Sequence, residues 1–290
     1  MYYALSLFAG LLITGMVTSN GALAEHYGIY TGVVIVHVIG LAVMSLIMLI
    51  RRESPFQYRA SKVLYMGGGI GVMTVVFNNM AFGVISISAI MALILLGQSI
   101  LGLAVDQYGL MGMPKHPFKL SKLLGLIFIV AGIVVMIDSF DLVAVSVSIA
   151  AGFCIILSRT LNAKLSEKSS IQTSAFFNNL VGLIVSCAAF LLLGRSELVA
   201  HMTFEPNLFL YLGGVLGIGV VLVNNLAVAK VSAFYLTLLM FTGQIFSALI
   251  FDKVLGHTFD PTLLAGGLLV VFGLSLNLLL DRTRKSDSTS

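Results

Sequence analysis

Residues 72–83 read VMTVVFNNMAFG and residues 218–229 read IGVVLVNNLAVA. Each run sets two adjacent primary amides, Asn78 and Asn79 or Asn224 and Asn225, in an otherwise apolar stretch. An amide both donates and accepts hydrogen bonds, and burying one without partners is costly. Neighbouring residues on a helix point about 100° apart. One amide of each pair can therefore line a polar path while the other bonds an adjacent helix. Gln98 and Gln244 recur in the same way, each in a Gly-Gln step. His37 is the titratable group closest to the middle of an apolar run, and histidine changes charge near neutral pH. It is the proton-coupling candidate. Arg159 lies within another apolar run, where it could reach the interface or pair with an anionic solute or a carboxylate. The expected substrate-binding set is Asn78, Asn79, Gln98, Arg159, Asn224, Asn225 and Gln244. Mostly neutral hydrogen bonding of this kind suits a small polar or amphipathic solute. Carboxylates, histidines and cysteines do not cluster with metal-ligand spacing, and no cofactor or catalytic residue is expected. The plainer reading of each amide is interhelical bonding, at about 0.6 kcal/mol on average in membrane proteins.

These groups need a scaffold, and the composition says which kind. The chain has 290 residues, 59% hydrophobic and 10% charged, with a mean hydropathy of +1.06. A water-soluble domain carries about 25% charged residues. Apolar segments of roughly 20 residues, each able to cross a bilayer as a helix, recur along the chain at 3–24, 28–50, 62–83, 85–105, 119–138, 143–165, 171–193, 207–229, 231–251 and 261–281. They are continuous, without the period-two alternation of a β-barrel. The first lacks a basic leader and is too long for a signal core, so it reads as a retained span. Cys154 and Cys187 both fall in apolar segments, which suggests neither a disulfide framework nor a metal site. The expected class is an all-α polytopic membrane protein of ten transmembrane helices.

Charge orients the spans. With the N-terminus cytoplasmic, fourteen of the 16 lysines and arginines fall inside, and only Arg195 and Lys253 fall outside. This positive-inside bias puts both termini in the cytoplasm. The expected location is a bacterial-type inner (plasma) membrane. A net charge of +4 sorted by membrane side is no footprint for nucleic acid.

The amide pairs recur because much of the chain recurs. An offset of 146 overlays residues 67–106 on 213–252 with 13 identities in 40 positions, including both Asn-Asn pairs, both Gly-Gln steps, and Asp106 with Asp252. An offset of 142 matches Gly10, Thr18, Asn20, Leu23, Glu25 and Gly40 with Gly152, Thr160, Asn162, Leu165, Glu167 and Gly182. An offset of 141 matches Gly125 and Gly132 with Gly266 and Gly273. The expected units are a five-helix repeat over 1–140, a second over 141–281, and a polar tail over 282–290. Five spans is an odd number, so the second repeat must cross the membrane inverted. Inverted repeats are a transporter signature, with substrate bound near the midplane where the halves meet. The asparagine pairs then read as duplicated polar steps at the two-fold centre. Gly67, Gly68, Gly69 and Gly71, with Gly213, Gly214, Gly217 and Gly219, read as sites of close helix approach. Glu25, Asp106, Glu167 and Asp252 sit at span ends and are expected to be solvated or interfacial.

A five-plus-five repeat resembles the drug/metabolite transporter superfamily. The stretch GQSILGLAVDQYGLMGMPKHPFKLSKLLGLIFIVAGIVV resembles, more specifically, the YdcZ-like inner-membrane family. It shows Gly-Gln in the fourth span, an Asp at the end of that span, a short turn, then a Gly-studded span. The resemblance covers the full length, looks like the fused ten-span form, and implies transport without naming a substrate. The small multidrug exporters of the superfamily carry a glutamate well inside the first span. Here LITGMVTSN has none, which speaks against proton-coupled export of cationic drugs.

The leading expectation is a secondary carrier of a small organic metabolite or drug-like solute, working by alternating access. No nucleotide-binding loop is present. The alternatives are a lipid-headgroup flippase or a structural membrane partner. An enzyme is disfavoured, since His37 has no Ser, Cys or Asp at helical spacing. The expected partners are the solute and the bilayer; a homodimer is open.

Overall fold

The computed structural model describes residues 2–108, 122–136, 140–195, 204–228, 233–256 and 261–287. Among them the chain forms ten α-helices and no strand: α1 (Tyr2–Tyr27), α2 (Ile29–Arg51), α3 (Gly67–Ala81), α4 (Ile87–Tyr108), α5 (Lys122–Met136), α6 (Leu142–Lys168), α7 (Ile171–Leu193), α8 (Leu212–Val228), α9 (Ala233–Val254) and α10 (Pro261–Asp287). Six are long and apolar enough to cross a membrane, namely α1 to α4, α6 and α7. Shorter apolar stretches occur at Ile127–Met136, Leu208–Val221 and Leu264–Leu276. Large apolar side chains such as Leu49 (75% exposed) and Leu192 (81% exposed) stand on the outer surface, as lipid requires and water does not favour.

Local chemistry sets the helix ends. A single residue, Gly28 at φ +92°, separates α1 from α2, a conformation that glycine adopts without the usual Cβ clash. The Asp141 carboxylate accepts from the Ala144 N–H at 2.8 Å and caps α6, and the Ser170 hydroxyl accepts from the Thr173 N–H at 3.1 Å and caps α7. Both are ordinary N-caps. Residues 62–66 form a 3-10 turn, so α3 starts later than the expected span. At the other end of the chain, α10 runs on to Asp287, past the expected limit at 281. The intervening Asp-Arg-Thr-Arg-Lys contains no helix breaker.

Packing follows a pattern that occurs twice. Helix α1 lies on α8 and α9, and α6 lies on α3 and α4. Helix α2 packs on α7, and α5 on α10. The crossings are made by glycines. A β-carbon on Gly10 would overlap the Met240 carbonyl and the Gln244 N–H, and one on Gly152 would overlap the Ile94 carbonyl and the Gln98 N–H. Gly243 meets the Leu7 carbonyl as Gly97 meets that of Ile149. Gly67 meets Asn162 as Gly213 meets Asn20, and Gly68 and Gly214 meet backbone of Asn178 and Val36. Gly71, Gly217 and Gly219 have only looser neighbours. Small residues that let backbones touch are the usual means of helix association in a bilayer, where lipid removes most of the hydrophobic drive.

The contacts generate a test. Gly152→Leu pushes a side chain into the α4 backbone and is expected to destabilise the fold by about 1–3 kcal/mol or more. A β-carbon added at Gly102 on α4 would meet nothing within 4 Å. Gly102→Ala is therefore expected to be neutral or stabilising by up to about 1 kcal/mol. Unfolding of both variants in detergent checks this. Equal stabilities would mean the α4–α6 crossing is not close-packed.

Candidate functional site

Asn78 and Asn79 lie in the last turn of α3, beside the break before α4, rather than at a helix midpoint. The helix stops there because Phe82 is extended and Gly83 has φ +75°. Both amides are buried, at 5% and 7% exposed. Yet Asn78 Oδ1 and both side-chain atoms of Asn79 have no hydrogen-bond partner among the described residues. Thr74 Oγ1, one turn back on the same face, and Ser148 Oγ on α6 share that condition. Gly67 meets Asn162 and Gly71 faces Ser158, so α3 and α6 run antiparallel. Carrying this register at about 1.5 Å per residue brings Asn78 level with Ala151, one turn from Ser148. Gln98, half-buried, crosses α6 at Gly152, close to that level. Asn78 on α3 and Gln98 on α4 thus stand at similar levels along α6, the helix on which both α3 and α4 pack. Gln244 is buried, and its carbonyl accepts from the Thr14 hydroxyl at 3.1 Å. Asn224 and Asn225 fall near the end of α8, and their side chains lie outside the described residues.

Asp252 departs from expectation. Instead of being solvated or interfacial it is 3% exposed. Its carboxylate accepts from the Ile87 N–H at 2.8 Å, the Ser88 N–H at 3.1 Å and the Ser88 hydroxyl at 2.6 Å. An acid at the end of α9 thereby caps α4, satisfying N–H groups that a helix start leaves open and placing negative charge at its positive end. The interfacial reading failed because it looked along one helix only; the partner is 164 residues away in sequence. Glu25 and Glu167 are exposed, and the Asp106 side chain lies outside the described residues.

The clamp closes one end of the bundle. Around it, every residue from Ile85 to Leu95 is buried. Phe82 packs its ring on Gly21, and Phe251 approaches Gly15. On α1, residues 14–24 are all buried except Met16 and Ala22. The opposite end differs. On α6, residues 156–166, which the 142-residue offset equates with 14–24, include only Leu161 and Leu165 as buried. On α4, Gly97 is the one buried residue over 96–104, whereas six of the nine over 242–250 of α9 are buried.

His37 and Asn179 occupy the α2–α7 seam. The Nδ1–H of His37 donates to the Val33 carbonyl at 2.8 Å, and the ring packs on Gly182. Asn179 Nδ2 donates to the Ala175 carbonyl at 2.9 Å, and its amide packs on Gly40. The two side chains make the same bond, four residues back, from facing helices. A second polar seam went unremarked in the sequence. Asn162 Nδ2 donates to Asn178 Oδ1 at 2.7 Å, Ser158 donates to the Gly67 carbonyl at 2.8 Å, and Ser174 donates to the Asn162 carbonyl at 2.7 Å. Its one sequence signal was the match of Asn20 with Asn162.

Arg159 points away from these seams. Its side chain is exposed. No hydrogen bond or ion pair holds the guanidinium among the described residues.

The Asp252 clamp is directly testable. Asp252→Ala leaves two N–H groups of α4 unpaired and is expected to cost about 1–3 kcal/mol. Ser88→Ala removes one bond and is expected to cost about 1 kcal/mol. Detergent unfolding of the two variants against wild type measures both. An Asp252→Ala protein as stable as wild type would show that the clamp contributes nothing to stability.

Known proteins bear on the whole chain. A family described as "Putative inner membrane exporter, YdcZ" matches two segments, residues 1–135 and 143–276. No curated protein matches. A solved structure titled "Crystal structure of protein" is similar over 96% of this chain and 98% of its own, with a TM-score of 0.61 and 15% identity. At that identity it speaks for the fold alone. The family match spans nearly all of the sequence, and the chain belongs to the YdcZ family.

Proposed function

We propose that the chain is a secondary transporter that moves a small organic solute by alternating access between two inverted five-helix repeats, residues 1–140 and 141–281. The family description supports transport and export. The repeated glycine crossings support a two-fold relation, since each joins residues that the sequence offsets equate with the members of another.

One observation carries the mechanism. Segments equated by the repeat differ in burial, and the difference has a direction. The end formed by late α1, early α4 and late α9 is sealed, whereas the end containing late α6 and late α4 is loose. An inverted-repeat carrier reaches its second state by letting the halves exchange conformations, so that sealed and open ends trade places. In the orientation given by positive charge, the loose end faces the cytoplasm, which suits loading of an exporter from inside. Asn78, Asn79, Gln98 and Gln244, with Asn224 and Asn225, supply the neutral hydrogen-bonding groups of the path, and Arg159 the charged one. His37 is assigned to the α2–α7 seam and not to a proton path, because Asn179, which cannot titrate, makes the same bond.

Site-directed labelling tests this reading. In a background lacking Cys154 and Cys187, Ala163→Cys on the loose end is expected to react quickly with a water-soluble maleimide. Val17→Cys at the sealed end is expected to react slowly. A transported solute, screened among amines, nucleobases, vitamins, amino acids, sugars and organic acids, is expected to change the two rates severalfold in opposite directions. Rates that move together, or move with no solute in the panel, would overturn alternating access and favour a lipid-headgroup or structural role.

A further inference from the structure

We infer that Asp252 and Asp106 are alternating latches of the carrier. Asp252, on the start of α4, holds the sealed outer end shut; Asp106, on the start of α9, holds the cytoplasmic end shut in the opposite state. The inference rests on the carrier reading above and adds the residues that close each end.

The first ground is the latch already formed. The Asp252 carboxylate is 3% exposed and accepts from the Ile87 N–H, the Ser88 N–H and the Ser88 hydroxyl. No cation pairs with it among the described residues, and the neighbouring Lys253 is exposed. A sealed end needs these bonds, because a buried carboxylate and buried N–H groups are costly when left unpaired. An open end does not need them, because water then serves both partners. The bonds therefore favour closure without making it permanent.

The second ground is the repeat. The offset of 146 that equates Asp252 with Asp106 also equates Ile87–Tyr108 with Ala233–Val254, so α4 and α9 begin and end at equivalent residues. The two helices pack on each other. With the end of α9 at the start of α4, they run antiparallel. Each carries an acid two residues before its end. The Ile87 and Ser88 N–H groups have equivalents in Ala233 and Phe234, neither of which is proline. When the halves exchange conformations, the contact of Asp252 with α4 gives way to that of Asp106 with α9.

The third ground is the contrast between the two helices where they lead to their acids. One turn before Asp252, Ala248 is 0% exposed. Its equivalent one turn before Asp106 is Gly102, where an added β-carbon would meet nothing within 4 Å. Leu249 is buried, and its equivalent Leu103 is half-buried. The approach to the formed latch is packed and the approach to its counterpart is loose. The latches also differ in strength. Ser88 is equated with Phe234, which has no hydroxyl, so the outer latch has one bond more. That bond favours the state sealed at the outer end.

The test is maleimide labelling of the full chain in detergent, in the background lacking Cys154 and Cys187. Val17→Cys reports on the sealed end and Ala163→Cys on the loose end. Asp252→Asn and Asp252→Ala are expected to raise the Val17→Cys rate about fivefold or more, without raising the Ala163→Cys rate. Ser88→Ala keeps the carboxylate and is expected to act in the same direction by a smaller factor. It remains decisive should the Asp252 variants fail to fold. Adding Asp106→Ala to any of these is expected to slow Val17→Cys again, because the competing latch is then lost as well. Unchanged Val17→Cys labelling in the folded variants overturns the outer latch. Rates that rise together at both sites show a loosened fold and overturn it too. An added Asp106→Ala without effect overturns the alternation. The carrier reading is tested separately by the response of the wild-type rates to solute. It stands if solute moves them in opposite directions while the latch variants do nothing, and it falls with the proposal if neither has an effect.

Discussion

Backbone-to-backbone contact at glycine is the interaction on which the rest depends. In lipid, two apolar helices gain little by leaving one hydrocarbon surface for another, so association must come from close contact and from polar groups that find each other. Gly10 and Gly243 bring α1 and α9 to backbone distance, and Gly97 and Gly152 do the same for α4 and α6. A single β-carbon at any of these positions meets a carbonyl or an amide of the neighbouring helix. Once these crossings are set, the directions of α1, α4, α6 and α9 are set with them. So is the level at which the amides and Arg159 stand.

Polar groups complete the assembly by two different routes. Some are satisfied within a seam, as with Asn162 and Asn178, or His37 and the Val33 carbonyl. Others are buried but unpaired among the described residues, notably Asn78 and Asn79. The first kind holds helices together. The second kind stands at the sealed end beside the α3–α4 break, where any opening of that end would change its surroundings first. Asp252 fixes that end from across the bundle, since its carboxylate serves the N-terminus of a helix in the other half of the chain. The sealed end is thus held by one charge-assisted clamp and a dense apolar cluster, while the looser end carries the exposed Arg159.

Much of the fold was legible because a bilayer leaves few choices. Apolar runs of span length must be helices when no water is present to satisfy the backbone, and the ten helices fall where those runs lie. The boundaries slipped where local geometry intervened. The 3-10 turn over 62–66 and the glycine at 83 shortened α3, and a tail without a helix breaker let α10 run on. The candidate residues were legible by type and recurrence. Their relative levels were not, because these are set by the packing of α3 and α4 on a third helix, α6.

The sequence alone determined the class, the helix count and the internal repetition, all of which follow from hydropathy and from identities at fixed offsets. It also singled out Arg159 as a charge without a counterpart. Only the tertiary structure decided that Asp252 is buried, that the amide pair sits at a helix end, and that repeat-equated segments differ in burial. The physical reason is that burial and hydrogen bonding belong to pairs of helices. A sequence states what each helix offers, and the packing of one against another decides which groups meet a partner and which do not.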